Sequence, residues 1–218
     1  YASRGLGDVY KRQPEHRAAA ARIIDRSITL VKNSRAQLPI TPQAHKRAIL
    51  YSVSSVSLAA RVLGKADKAR EYLAQELEKQ GFSVEVYRLN PFKYLTPKGI
   101  NGKKVLADIP VLEFRKKYDV VFVIADVQSF STTNERNLHW SIPMGPEIPW
   151  YAAEKTTVFI SVANPFHLYD VPMVPVCINT YNGSREAIRQ AVEKITGKSE
   201  FKGNSPVDAF CGMWDTRL

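Results

Sequence analysis

Three glutamates lie in one long connection of the chain and carry carboxyl groups that could transfer protons. Glu135, Glu147 and Glu154 all fall in a long connection, residues 128–155, which also holds three prolines and two tryptophans. Glycoside hydrolysis needs two carboxyl groups, or an equivalent pair, on either side of the scissile bond. No second group of matched spacing accompanies these glutamates, so the residues alone favour ordinary surface carboxylates.

The four histidines do not form an acid–base motif either. They are His16, His45, His139 and His167. The surrounding pattern predicts a helix-surface position for His16, a loop position for His45 and a packed turn for His167. We therefore predict no catalytic residue in this chain.

Aromatic side chains in the same connection suggest contact with a sugar or with another domain. Trp140, Trp150 and Tyr151 have flat apolar faces on which a sugar ring can stack, and Arg136 has a planar fork that suits a carboxylate. Packing between this connection and another domain is the favoured interpretation. If the segment binds substrate, the predicted binding residues are Arg136, Trp140 and Trp150.

Cofactor and metal motifs are missing from the sequence. Neither G-x-G-x-x-G nor G-x-x-x-x-G-K-[ST] follows a predicted strand, which disfavours nucleotide binding. Cys177 and Cys211 lack metal-ligand spacing and are too few for a disulfide framework, so we expect two free thiols. We predict no cofactor and no metal.

Charge and hydropathy limit the classes of partner. The formal net charge is +10, but the basic residues are spread along the chain without a long run. This distribution is typical of a solvated basic face, and we predict no nucleic-acid partner. No stretch approaches the roughly 20 apolar residues that span a bilayer, so we predict no membrane segment.

The pattern of apolar residues predicts an α/β fold. Residues 118–127, YDVVFVIADV, contain an uninterrupted apolar run that is typical of the centre of a parallel sheet. Other strands are predicted at 48–51, 84–89, 158–162 and 176–178, an extended segment at 30–31, and helices from Pro14 and at 66–80, 111–117 and 184–195. Alternating strands and helices predict a three-layer sandwich around a mainly parallel β-sheet.

The first thirteen residues, YASRGLGDVYKRQ, differ from the remainder. They resemble the translated end of a transposase adapter used in sequencing-library preparation, and we expect an artefactual or disordered tail there. We then expect a linker helix with an extended lead-in segment over residues 14–45. The sandwich domain, with an extended C-terminal tail, is expected over residues 46–218.

Several stretches resemble a known family. They are "AAAARIIDRSITLVKNSRAQLPI", which contains Lys32-Asn33 and Leu38-Pro39, "ISVANPFHLYDVP", "INTYNGS", and "FKGNSPVDAFCGMWDTRL", which contains Ser205-Pro206-Val207. Over residues 14–218 they resemble the C-terminal domain of glycoside hydrolase family 3, and most of all its β-N-acetylhexosaminidase branch. That domain is an α/β sandwich around a mainly parallel sheet.

The resemblance implies that the catalytic residues lie on a different domain. The family carries its nucleophilic Asp, and in this branch a His–Asp acid–base pair, on a barrel domain whose motifs are not in this sequence. We therefore expect an accessory domain that is not catalytic alone, with a barrel domain in cis as its partner. The substrate of the parent is expected to be carbohydrate with terminal β-linked N-acetylglucosamine. The alternative is a stand-alone sugar- or nucleotide-binding module of flavodoxin-like architecture. The compartment stays open between bacterial cytoplasm and secretion.

Overall fold

The chain folds around a six-stranded, mostly parallel β-sheet with helices on both faces. The computed structural model describes residues 13–54, 68–87, 110–127, 138, 148–210 and 212. In these ranges the elements are α1 Gln13–Ser27, β1 Thr29–Asn33, β2 Arg47–Ser54, α2 Lys68–Gln80, β3 Ser83–Val86, α3 Val111–Lys117, β4 Val120–Asp126, the 3-10 helix η1 Trp150–Ala153, β5 Thr156–Ser161, the 3-10 helix η2 Pro165–Asp170, β6 Val176–Asn179 and α4 Arg185–Ile195.

The strand order across the sheet is β1-β6-β5-β4-β2-β3. The five strands from β2 to β6 run parallel, whereas β1 pairs antiparallel with β6. The β1 register is irregular between Leu30 and Lys32. The mainly parallel sheet predicted from the sequence is therefore confirmed. The extended segment predicted at residues 30–31 lies in β1, the antiparallel edge strand.

Strand β4 divides the interior into two cores because its side chains alternate between the faces of the sheet. Val120, Phe122 and Ile124 belong to the core on one face. Val121 and Val123 belong to the core on the other. All five are at most 1% exposed. Helices thus cover both faces, as the uninterrupted apolar run predicted.

The first core is covered by α2 and α4, which pack against each other. The inward apolar residues of α4 are all buried: Ala187, Ile188, Ala191, Val192 and Ile195. Ser184 caps α4, because its hydroxyl accepts a hydrogen bond from the Ala187 N–H at 3.3 Å. Helix α2 ends at Gly81, whose φ of +102° is a conformation that glycine adopts easily.

The second core lies under α3 and the two 3-10 helices. Phe114 of α3, Tyr151 of η1 and Leu168 of η2 are all fully buried there. Tyr51 of β2 stacks on Tyr151, with ring centroids 4.6 Å apart. This second layer is built from short elements held mainly by aromatic packing.

Helix α1 is fixed to α4 by polar contacts. The Lys194 ammonium, on a side chain with 0% exposure, donates to Asp25 at 2.6 Å and to the Glu200 carbonyl at 2.6 Å. Lys202 also donates to Asp25, at 3.0 Å. Ile24 packs against the first core, whereas its neighbour Ile23 is 68% exposed. Polar contacts to Asp25, more than an apolar stripe, therefore set the position of α1.

Candidate functional site

The carboxyl ends of the central strands form the edge of the sheet at which ligands bind in open α/β folds. The parallel strands lie in the order β3-β2-β4-β5-β6, so the direction of winding reverses between β2 and β4. Binding crevices in such folds open beside this reversal. Strands β4, β5 and β6 end here at Asp126, Ser161 and Asn179.

A solvent-open cleft of about 590 Å³ lies at this edge. Its volume falls within the range of about 300–1,000 Å³ that is usual for small-molecule sites. The described residues that line it come from the strand ends and the turns after them: Asp126, Val162, Ala163, Asn164, Pro165, Tyr181, Asn182 and Gly183. Asp126 is the single carboxylate in this described lining.

Two asparagines hold the turns that shape the cleft. The Asn164 side-chain oxygen accepts from the Phe166 N–H at 2.9 Å and so caps η2. The Asn182 side-chain oxygen accepts from the Ser184 N–H at 2.7 Å, just before α4 begins. Such side-chain-to-backbone bonds fix the orientation of each amide group.

Tyr181 adds a strained backbone to this edge. Its φ of +55° lies in the left-handed region, where bulky residues are outliers. Its hydroxyl oxygen is buried without a hydrogen-bond partner. Strain and an unsatisfied buried polar group at one residue are typical of functional sites.

A buried polar cluster lies directly behind the cleft. The Ser161 hydroxyl donates to the Asn164 carbonyl at 2.5 Å and lies 3.0 Å from His167 Nδ1. Because the hydroxyl hydrogen is used on the carbonyl, His167 Nδ1 carries a hydrogen and donates to Ser161. His167 is 1% exposed, consistent with the packed position that the sequence predicts. Burial lowers the pKa of His167 to about 4.

The buried His167 makes stability depend on pH. Above pH 6.5 the imidazole is neutral in both the folded and the unfolded chain. As the pH falls towards about 4, the imidazole of the unfolded chain becomes protonated, whereas the buried ring of the folded chain stays neutral. We expect the free energy of unfolding to fall by at most about 3 kcal/mol over this window, since each pKa unit is worth about 1.4 kcal/mol. Urea unfolding at pH 7.5 and pH 4 measures the loss.

The matched comparison uses two variants. His167→Gln should remove this part of the pH dependence, because glutamine does not titrate. His16→Gln, at an exposed position of α1, should keep the pH dependence of the unaltered chain. Equal acid sensitivity of His167→Gln and the unaltered chain would contradict the assignment.

Of the residues considered from the sequence for substrate contact or acid–base chemistry, several lie outside the part of the chain that the structure describes: Glu135, Arg136, His139, Trp140 and Glu147. Glu154 follows η1 and accepts a hydrogen bond from Arg115. That bond holds the pKa of Glu154 below its ordinary value, so the carboxyl group is ionised at neutral pH. It therefore lacks the proton that a general acid must donate.

Trp150 lies in η1 on the second layer. Its ring centroid is 4.9 Å from that of Phe114 and 5.7 Å from that of Tyr151. Beside it is a smaller, mainly apolar cleft of about 250 Å³, whose lining also includes Arg35 and Met173. The indole is only partly buried, so it packs within the chain and still presents a surface.

Truncation of Trp150 separates packing from substrate stacking. Trp150→Ala should cost about 2–3 kcal/mol of unfolding free energy, somewhat below the loss for a fully buried aromatic residue. Met173→Ala removes a 52% exposed side chain from the same cleft and should change stability by no more than about 0.5 kcal/mol. Chemical unfolding measures both. An intact fold with weaker saccharide binding in Trp150→Ala would support stacking instead.

The described part of the chain offers no reactive thiol, no cluster of metal ligands and no membrane-spanning helix. Burial raises the pKa of Cys177 to about 12, so this free thiol stays protonated and unreactive. Among the described residues, no three His, Cys, Asp or Glu side chains gather in a way that would hold a metal ion. None of the described helices combines the length and the apolar character needed to cross a membrane.

Comparison with known proteins adds independent information. A curated protein of Cellulomonas fimi, described as a β-N-acetylglucosaminidase/β-glucosidase, is 34% identical over 207 residues, which are 94% of this chain. A solved structure described as the β-glucoside phosphorylase BglX is 33% identical and superimposes with a TM-score of 0.74 over 93% of this chain. No protein-family model matches the chain.

A second solved structure carries a family name in its description. It is described as a glycoside hydrolase family 3 β-N-acetylglucosaminidase from Paenibacillus sp., and superimposes with a TM-score of 0.52 over 84% of this chain at 15% identity. The chain resembles one domain of glycoside hydrolase family 3 proteins. It spans 34% of the length of the Cellulomonas fimi protein and 33% of the phosphorylase chain. The resemblance to one domain of this family and the α/β sandwich fold, both expected from the sequence, are therefore confirmed.

Sequence reasoning missed the cleft as a site. The available signal was the position of Asn164 and of the Asn182-Gly183 turn signal, because each lies shortly after the end of one of two neighbouring parallel strands, β5 and β6. Carboxyl ends of such strands meet at one edge of the sheet.

Proposed function

We propose that this chain is the accessory domain of a glycoside hydrolase family 3 enzyme whose parent removes terminal β-linked N-acetylglucosamine. The observation that carries the proposal is the 34% identity, over nearly the whole chain, to a protein described as a β-N-acetylglucosaminidase/β-glucosidase that is about three times longer. The remaining two thirds of such a protein would supply the catalytic groups. The carboxyl edge of the sheet, with its cleft, would face them.

The chemistry of the cleft supports an accessory role. A retaining glycosidase that uses two carboxyl groups holds them about 5–5.5 Å apart. Asp126 has no second carboxylate beside it in the described lining of the cleft, and Glu154 is occupied by Arg115. A single carboxylate cannot perform the two-step displacement.

The test joins this chain to the catalytic barrel of a related enzyme and measures hydrolysis of a chromogenic β-N-acetylglucosaminide. We expect no turnover above background by the 218-residue chain alone, and activity in the joined protein. Catalysis depends on positioning, so the joined protein should exceed an unlinked mixture of the two parts. Turnover by the chain alone that is abolished by Glu135→Gln, Glu147→Gln or Glu154→Gln would overturn the accessory assignment.

A second candidate function follows from one specific observation. The solved structure with 33% identity and a TM-score of 0.74 is described as a β-glucoside phosphorylase. The parent of this chain would then transfer the glycosyl group to phosphate instead of water, and would act on glucosides. Product analysis with and without phosphate separates the two: a glycosyl phosphate indicates the phosphorylase, and free sugar at an unchanged rate indicates the hydrolase.

A further inference from the structure

We propose that the smaller cleft beside Trp150, here called the Trp150 cleft, is a docking site for an acidic segment of a partner protein. The segment inserts one large apolar side chain against the indole and brings a carboxylate to Arg35. The site is separate from the carboxyl edge of the sheet, and its occupation does not require the proposed function.

The Trp150 cleft lies at the amino edge of the sheet, on the side of the second core. Trp150 belongs to η1, which precedes β5 and packs against that core, and Met173 precedes β6. Arg35 follows β1, whose last residue, Asn33, pairs with the first residue of β6, Val176. The larger cleft is formed beyond the other ends of β5 and β6. The two clefts therefore open at opposite edges of the sheet.

The lining of the Trp150 cleft has the composition of a protein–protein contact. It combines aromatic, methionine and arginine side chains, the types that are enriched at the centre of interfaces. Met173 is 52% exposed and Trp150 is only partly buried, so both offer apolar surface to a partner. The volume of about 250 Å³ lies below the range usual for small-molecule sites but suits a single anchoring side chain.

The charge of the cleft favours an acidic partner. Arg35 is the only charged residue in the described lining, and within the described part of the chain it is exposed and has no acidic partner. The carboxylate of Glu154, directly after the lining segment, is engaged by Arg115. Lys32 adds a second positive charge nearby, because its ammonium donates to the Pro172 carbonyl at 2.6 Å. A planar guanidinium without a partner is suited to bind a carboxylate through two parallel hydrogen bonds.

The walls of the cleft are fixed before a partner arrives. The turn that carries Arg35 is held by Asn33, whose side-chain oxygen accepts from the Gln37 N–H at 2.9 Å and whose carbonyl accepts from the Ala36 N–H at 3.0 Å. Ala36 itself has a φ of +48°, in the left-handed region. The indole on the other side is held by its packing on Phe114. Binding to a surface that needs little rearrangement loses less free energy to ordering.

The experiment titrates the isotope-labelled 218-residue chain with capped peptides and follows backbone amide and indole N–H signals by NMR. The peptide acetyl-Gly-Phe-Glu-Gly-amide carries both an apolar ring and a carboxylate. Two counterparts each lack one of these groups, with Gln in place of Glu or Ala in place of Phe. Concentrations up to about 10 mM cover a Kd near 1 mM.

We expect saturable shifts at Arg35, Trp150 and Met173 with the Phe-Glu peptide. The peptide without the carboxylate should bind about threefold more weakly, since an exposed ion pair contributes modestly. The peptide without the ring should bind at least about tenfold more weakly, because the apolar anchor is lost. Salt near 1 M should remove most of the preference for the carboxylate.

A matched pair of charge variants assigns the carboxylate preference. Arg35→Gln should bind the Phe-Glu and Phe-Gln peptides equally, because a neutral amide cannot form the ion pair. Arg26→Gln removes the same charge from an exposed position of α1, which packs on the first core, and should keep the preference of the unaltered chain. Met173→Ala removes an exposed wall of the cleft without loss of the fold and should weaken the Phe-Glu peptide about threefold.

Several results would overturn the proposal. They are the absence of saturable shifts at Trp150, equal affinity of the unaltered chain for the Phe-Glu and Phe-Gln peptides, and an unchanged preference in Arg35→Gln. Loss of peptide binding when the chain is joined to a catalytic barrel would show that the catalytic domain covers the cleft instead. Sedimentation of the chain without peptide completes the test: a dimer that Met173→Ala dissociates would identify a second copy as the occupant and reject the acidic partner.

Discussion

Replacing Phe122 by alanine is expected to lower the free energy of unfolding by about 3–5 kcal/mol, the loss that is usual for a fully buried aromatic residue. Phe122 is 0% exposed at the middle of β4, where its ring meets that of Phe82 edge-on with centroids 5.8 Å apart. The cavity would lie in the first core, which α2 and α4 cover. Denaturant unfolding monitored by circular dichroism measures the change.

The opposite face of the same strand gives the complementary test. Val123→Asp places a carboxylate in the second core, and an unpaired buried charge is costly enough that we expect the chain not to fold. Leu112→Asp introduces the same group at a 69% exposed position of α3 and should change stability by no more than about 0.5 kcal/mol. A folded Val123→Asp chain would show that water reaches this face.

Loss of the Asp25 carboxylate should also be severe. Asp25→Ala leaves the Lys194 ammonium buried with only the Glu200 carbonyl as a partner. Breaking a buried pair by removing one member costs about 3–5 kcal/mol, because the remaining charge is uncompensated. Thermal and urea unfolding measure the loss, and we expect helix α1 to detach first.

Two controls separate the buried charge from other effects at this site. Lys202→Ala removes the partner whose side chain is 55% exposed and should cost at most about 1 kcal/mol. The double variant Asp25→Ala/Lys194→Met replaces the buried ammonium by an apolar side chain and should recover most of the lost stability. A double variant as unstable as Asp25→Ala would show that the buried charge was not the cause.

The elements that the sequence predicts well are those whose local signals agree. The five consecutive apolar residues from Val120 to Ile124 could be buried on both faces only at the centre of the sheet, and β4 lies there. Helix α3 occupies Val111–Lys117, as predicted. The pairing of β1 was not predictable, because a short extended segment carries no information about which edge it joins or in which direction.

The buried polar residues were harder to predict because their partners are brought together by tertiary structure. Ser161 and His167 are six residues apart, but their hydrogen bond requires the 3-10 helix Pro165–Asp170, where the sequence predicts only a packed turn. Asn179 ends an apolar strand and is fully buried, with both polar side-chain atoms unpartnered. Nothing in the local pattern distinguishes it from an exposed strand end.

The irregular antiparallel strand β1 bears on self-association. An open edge of a sheet can pair with the same edge of another copy, and natural proteins prevent this with bulges and charged residues on the edge strand. Both devices occur in β1, where the register shifts between Leu30 and Lys32. The Lys32 ammonium also folds back to donate to the Pro172 carbonyl at 2.6 Å. The regular parallel strands behind β1 are thus screened from strand exchange between molecules.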